Sequence, residues 1–179
     1  MAFIEIGFNT KRPLILGRGG FGTQLNDWLM DEGWGSADFL DDNAPDAVGG
    51  LRDYVDPAIL KRGRPAFAAL GDNKLRVELL QKLAAAGYST PVFISDAASV
   101  SPSAVLEPGC IILPQAYVGA DAHLGVGCIV NAGAIVDHNA HLGRGVHVAP
   151  GGIVKASAEV AEFGKVDSGE IVRSPWENQ

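Results

Sequence analysis

The stretch Cys128-Ile129-Val130-Asn131-Ala132-Gly133-Ala134-Ile135-Val136-Asp137-His138-Asn139-Ala140-His141-Leu142 repeats its grammar every six residues. An aliphatic residue takes one place in each hexad (Val130, Val136, Leu142), and a small residue stands two places before it (Cys128, Ala134, Ala140). Followed outward, the aliphatic column includes Val100, Leu106, Ile112, Val118 and Leu124 on one side. On the other it continues through Val148, Val154, Val160 and Val166 to Val172. The small column begins at Ala98 and Ala104 and closes with Ala158 and Gly164, before Glu170 breaks it. A helix repeats apolar positions near 3.6 and a flat strand near 2, so neither sustains a period of six. Hexapeptide repeats mark a parallel β-helix, in which each hexad supplies a short strand and a corner. Three hexads then close one triangular coil of eighteen residues, and the two columns fill its core. Aliphatics beside the inward column, such as Ile129, Ile135 and Ile153, are expected to face outward on flat walls.

The composition fits. Hydrophobic residues make up 47% of the 179 residues and aromatics only 7%, which suits a core of Val, Ile, Leu and Ala. Twenty-three glycines suit many tight corners. A net charge of −7 and a pI near 5.0 argue against nucleic acid, whose recognition needs basic patches. The sequence shows neither a secretory signal nor an apolar run of membrane-spanning length, so a cytoplasmic protein without membrane partners is expected. Cys110 and Cys128 lie eighteen apart, hence one coil apart in the inward column. Strand spacing of about 4.8 Å puts them within disulfide reach, but two reduced core thiols suit a cytoplasmic chain better.

Residues 1–96 read as a separate Rossmann-like parallel α/β domain, ahead of a β-helix domain over 97–179. An apolar run, Pro13-Leu14-Ile15-Leu16, enters Gly17-Arg18-Gly19-Gly20-Phe21-Gly22, a G-x-G-x-x-G pattern. A helix is expected over 23–31 with Leu25, Trp28 and Leu29 inward, then a strand ending in Asp41 and Asp42. A third strand over 65–70 leads to a helix over 74–86, carrying Leu75, Leu79, Leu80 and Leu83 and stopped by Gly87. Pro91-Val92-Phe93-Ile94 reads as the last strand of this sheet. A short helix near Pro57 and an edge strand over 1–11 complete the expectation.

A glycine loop between strand and helix lets a phosphate approach backbone N–H groups at the helix start. Asp41 or Asp42 would then stand near the ribose or sugar of the same ligand. Fewer than 100 residues is short for a whole dinucleotide fold, and a nucleotide-sugar fits the half-size sheet better.

Gly17-Arg18-Gly19-Gly20-Phe21-Gly22, Phe39-Leu40-Asp41-Asp42, Ala69-Leu70-Gly71-Asp72-Asn73, Ser101-Pro102-Ser103-Ala104 and Val136-Asp137-His138-Asn139 together resemble the PglD/NeuD-type sugar acyltransferases. That resemblance implies a left-handed β-helix, a homotrimer, and acetyl transfer from acetyl-CoA to a nucleotide-activated amino sugar, with no metal. It further implies a general base at His138, a CoA contact at His147 within His147-Val148-Ala149-Pro150-Gly151-Gly152, and Asn131 nearby. Phosphate or sugar contacts from the Gly17, Arg18, Gly19, Gly20, Phe21 and Gly22 loop, and from Asp41 and Asp42, follow from it as well.

The repeat bears on the histidines independently. His123, His141 and His147 each precede an inward aliphatic residue and should face outward from a wall, whereas His138 falls at a corner. A neutral imidazole can take the proton an attacking amine must lose, and Asp137 is the candidate carboxylate to orient it. Asn139 stands where members of the family often carry an acidic residue, and the hexads after Gly152 are fewer than is typical. Sugar O-acetylation, and a non-enzymatic trimeric scaffold that binds a nucleotide-sugar, therefore stay open. The histidine spacings do not match the zinc triad of γ-class carbonic anhydrases.

Overall fold

The computed structural model describes residues 12–178, so the edge strand expected over 1–11 lies outside the described residues. The chain divides into two compact units. One runs to Leu70 and includes Gln81–Thr90; the other joins Gly71–Leu80 to the chain from Pro91 onward. The boundary expected at 96/97 thus differs from this division, because Phe93–Ile94 is hydrogen-bonded beside Ile111–Ile112 and opens the β-helix. The strand expected to end the α/β sheet belongs to the solenoid instead.

In the first unit a three-stranded parallel sheet has the order β2-β1-β3, with β1 at Leu14–Leu16, β2 at Asp38–Leu40 and β3 at Ala66–Ala68. Leu14 stands opposite Asp38 and Ala66. Leu14, Ile15 and Leu16 are fully buried, which is why the central strand reads as an unbroken apolar run rather than an alternation. Helix α1, Gly20–Asp31, buries Leu25 and Leu29. Trp28 is only half-buried, and its indole nitrogen has no hydrogen-bond partner among the described residues. Buried Arg64 closes one end of the sheet, donating to the carbonyls of Arg12 and Pro13 and pairing with Asp38. The helix expected near Pro57 is a 3₁₀ turn at Asp53–Val55.

In the second unit fourteen two-residue strands follow one another at intervals of six, from Phe93–Ile94 to Ile171–Val172. They stack as three parallel sheets in which partners lie eighteen residues apart, as Ile111, Ile129 and His147 do. The expected columns form the core: Cys110, Ile112, Ala116, Val118, Ala122, Leu124, Cys128, Val130, Ala134 and Val136 are all buried. Cys110 and Cys128 are free thiols directed at the carbonyls of Gly125 and Gly143.

A second period of six runs through the corners. Every sixth residue from Gly109 to Gly169 has a left-handed backbone, and the five that are not glycine are Gln115, Asp121, Asn139, Ser157 and Phe163. One of the three corner series is overlaid by helix α2, Asn73–Ala86, whose first half belongs to this unit. Asp72 caps this helix by accepting from the Lys74 and Leu75 N–H groups, each at 3.0 Å. A Cβ at Gly127 would lie 2.7 Å from Leu80, and one at Gly145 would lie 2.8 Å from Val77. Arg76, fully buried, donates to Gly127 O at 2.9 Å and to Gly145 O at 2.7 Å. Asn73 donates to the carbonyls of Phe163 and Gly164 one coil further on.

One expectation is corrected. Ile129 is 1% exposed and Ile111 is fully buried, on the wall they share with Phe93, which is buried too. Burying each such side chain contributes about 1.5–3 kcal/mol. Ile135, Tyr117 and Ile171, which share another wall, remain exposed. The two glycine classes are separable by experiment. Gly133→Ala meets no atom within 4 Å but must hold a left-handed backbone, and should cost about 1–2 kcal/mol in chemical denaturation. Gly145→Ala adds the collision with Val77 and should cost roughly 1–3 kcal/mol more.

Candidate functional site

The glycine loop leaves β1 at Gly17, whose left-handed φ of 98° and approach to Ala69 O admit no side chain. A Cβ at Gly22 would collide with Gly17 O, so this glycine lets α1 pack against the loop. Gly19 and Gly20 are different, since a Cβ at either meets nothing within 4 Å. Gly19 caps α1 without any side-chain hydrogen bond, and the first turn holds no acidic residue. A helix N-terminus of this kind favours an anion.

Asp41 stands beside the loop with its carboxylate already engaged. It accepts the Arg18 N–H at 2.8 Å, the Asn43 N–H at 2.8 Å and the Ala44 N–H at 3.1 Å. These backbone donors, that of Arg18 first, hold its carboxyl below the usual range. Asp42 accepts the Leu51 N–H at 2.8 Å. The Arg18 guanidinium lies over the Phe39 ring, 4.4 Å from its centroid, donates to Thr23 and pairs with Asp46. Asp41 therefore acts on the shape of the glycine loop before any ligand arrives, while Asp42 braces the connection that follows β2.

On the β-helix, His138 is exposed at the corner after Ile135–Val136. Asp137 Oδ1 accepts the His138 backbone N–H at 2.7 Å, so this carboxylate braces the corner rather than the ring. The ring is met by Asn139, whose amide nitrogen lies 2.9 Å from Nδ1. Asn139 takes the left-handed corner position, which asparagine tolerates better than most side chains. Gly119 lies one coil below, and a Cβ there would come within 2.6 Å of His138 N. Sequence alone gave no reason to single out Gly119, although its place directly after inward Val118 is the available signal.

Asn131 and His147 form a second group, on neighbouring coils of one wall and its corner. Asn131 is 7% exposed; its Oδ1 accepts the Ala132 N–H, which turns its amide nitrogen toward His147 Nε2 at 3.3 Å. His147 is therefore a ring acceptor at Nε2 and carries its proton on Nδ1. Burial first, then the positive charges of Arg76 and Lys165, pull its pKa down to about 4. Folding thus expels a proton from this ring below pH 6.5, and the group opposes folding as pH falls toward 4. Gly151, in the same stretch, is an exposed left-handed corner whose N–H is taken by Ala132 O. Among the described residues no group of three or more His, Cys, Asp or Glu side chains is placed to hold a metal ion.

The description "PglD N-terminal domain" matches residues 13–83. The acetyltransferase domain of PglB from Neisseria gonorrhoeae FA1090 superposes with a TM-score of 0.86 at 28% identity, over 92% of this chain and 83% of that one. The same domain in complex with acetyl coenzyme A aligns at 30% identity and a TM-score of 0.83, over 92% of this chain and 83% of that one. A His-to-Asn variant of perosamine N-acetyltransferase from Caulobacter crescentus, in complex with CoA and GDP-perosamine, aligns at 28% identity. Its TM-score is 0.81, over 87% of this chain and 77% of that one. No curated protein sequence matches. An α/β unit followed by a hexapeptide-repeat β-helix is the architecture of a class of acyltransferases. Within that class, the chain belongs to the PglD-type acetyltransferase family.

Proposed function

We propose that this protein transfers an acetyl group from acetyl-CoA to an amino group of a nucleotide-linked amino sugar, with His138 as general base. The observation that carries the reading is an exposed corner imidazole held at Nδ1 by a neighbouring amide, in a chain 30% identical to an acetyltransferase domain solved with acetyl coenzyme A. The complexes of the Caulobacter enzyme with GDP-perosamine support a nucleotide-sugar acceptor. The reading assigns the phosphates to the amides around Gly19 and Gly20, acetyl-CoA to His147 and Gly151, and Asn131 to the catalytic group beside them. It sets Asp41 and Asp42 beside the sugar or ribose.

The Asn139 amide nitrogen faces Nδ1, whereas a base at Nε2 needs the proton of the free ring on Nδ1. The reading therefore requires the Asn139 amide to turn over and present its oxygen to that nitrogen as acceptor. The amine attacks the thioester carbonyl carbon, the C–N bond forms, and its proton passes to His138 Nε2. Collapse of the tetrahedral intermediate breaks the C–S bond, and the proton leaves with the thiolate. Direct transfer is favoured because Cys110 and Cys128 are fully buried in the core and cannot serve as nucleophiles. His138→Asn should lower turnover by roughly 10²–10⁴ and leave both ligand affinities nearly unchanged. Thiol release from acetyl-CoA across a panel of nucleotide amino sugars measures this, and undiminished turnover rejects the base.

The loop assignment has its own test. Gly19→Val places its Cβ where no protein atom lies within 4 Å, so the fold should persist while nucleotide-sugar affinity falls. Calorimetric titration with unchanged affinity would reject the phosphate cradle.

The reading includes a cytoplasmic homotrimer. Tyr117, Ile135 and Ile171 form an exposed apolar wall, and closed threefold symmetry would bury it on three copies at once. Among the described residues no helix is long and apolar enough to cross a membrane. Light scattering at micromolar concentration should give three times 18.7 kDa; a monodisperse monomer would count against the trimer.

A further inference from the structure

Helix α2 places one fully buried cation, Arg76, inside the β-helix unit, on the backbone that leads into His147. Its Nη2 donates to Gly145 O at 2.7 Å, two residues before His147, and its Nε donates to Gly127 O at 2.9 Å, two residues before Ile129, the strand partner of His147. Asn73 Oδ1 accepts from Nη1 at 2.8 Å, and its amide nitrogen is fixed on the Phe163 and Gly164 carbonyls. The guanidinium is thus held by carbonyls of two successive coils and by Asn73 of its own helix, which is anchored on a third coil. A lysine, with one point donor, cannot reproduce this fork.

We propose that Arg76 is a positioning residue for the acyl-donor side of the site, holding the backbone that leads into His147 so that the ring stays against the Asn131 amide. The assignment of His147 to acetyl-CoA rests on the function proposed above, whereas the effect of Arg76 on His147 does not. The groups that bear on the ring come from three directions. Arg76 acts from α2, Lys165 from the next coil of the same wall, and the neutral amide of Asn131 from the corner of the preceding coil. Lys165 is itself paired with Asp167 at 2.6 Å. Burial and both cations all disfavour the imidazolium, so removing one cation can only raise the midpoint. Arg76 keeps its own proton, since burial lowers its pKa only to about 10.

A neutral ring matters for a donor carrying phosphates. An imidazolium at this place would attract the anionic end of any coenzyme and make affinity vary with pH, whereas a neutral Nδ1–H donor reads shape and hydrogen bonding alone.

The test is an NMR titration of the imidazole resonances between pH 8 and 5.5, above the pI near 5.0. In the parent protein His147 should stay neutral, with its proton on Nδ1, over that whole range. In Arg76→Gln the His147 ring should begin to protonate at the lower end of that range, its midpoint rising by about a unit or more, and KM for acetyl-CoA should become pH-dependent toward pH 5.5 while kcat follows the parent. Arg76→Lys should keep His147 neutral yet lower stability, because charge is retained and the fork is lost. An ordinary midpoint near 6.5 in the parent overturns the proposal without any variant. So does Arg76→Gln if it loses stability and leaves the titration of His147 unchanged, which is what a purely structural clamp would do. A shifted titration with no acetyl transfer by the parent would uphold the Arg76 effect and reject the proposed function alone.

Discussion

One row of backbone carbonyls, at the corner marked by Gly127, Gly145 and Phe163, governs how the β-helix is finished on one side. Corner carbonyls in a stack point along lines that the sheets do not use, and burying them without donors would cost about 1–3 kcal/mol each. Helix α2 supplies those donors from Arg76 and Asn73 and covers the glycines with Leu80 and Val77. The demand for glycine at Gly109, Gly127 and Gly145 follows from that cover. At the corners where α2 is absent, Asp121, Asn139 and Ser157 take the same backbone conformation with side chains in place. The corner left to a short polar residue is the one that bears His138 and its Asn139 partner. The scaffold and the site therefore divide the three corner series between them.

Much of this was legible in the sequence because a six-residue period is a geometric signal that no helix or flat strand imitates. The inward columns Val130, Val136, Leu142 and Cys128, Ala134, Ala140 form the core as their spacing required. What escaped was information carried by another part of the chain. Ile129 has the same outward phase as Ile135, yet one is buried and the other exposed, a difference that the repeat itself does not encode. Phe93–Ile94 follows a helix, as a strand of the α/β sheet would, yet its six-residue offset from Ser99 puts it in the solenoid. Nothing in the sequence singled out Arg76, since a charged residue between Leu75 and Val77 says nothing about carbonyls fifty residues away.

The sites show the same division. Residue types pointed to the glycine loop, the two aspartates and the corner histidine. They did not reveal that Asp41 spends its carboxylate on three backbone N–H groups, or that Asp137 takes the backbone amide while Asn139 meets the ring. Each aspartate at a turn can serve its own backbone or a neighbour, and local geometry settles the choice.

The fit of α2 to the coils has the character of a vernier. Leu80 lies against Gly109 and Gly127, Val77 against Gly127 and Gly145, and Asn73 against Gly145 while donating to Phe163 O. Seven residues of helix rise about 10.5 Å, while two coils advance about 9.6 Å. The two rulers slip by about 1 Å over that span, which hydrogen bonds absorb, and would slip by about twice as much over twice the span, which they would not. A straight helix can therefore read only a few coils of such a solenoid, so a family that lengthens its β-helix gains walls and corners without lengthening this seam.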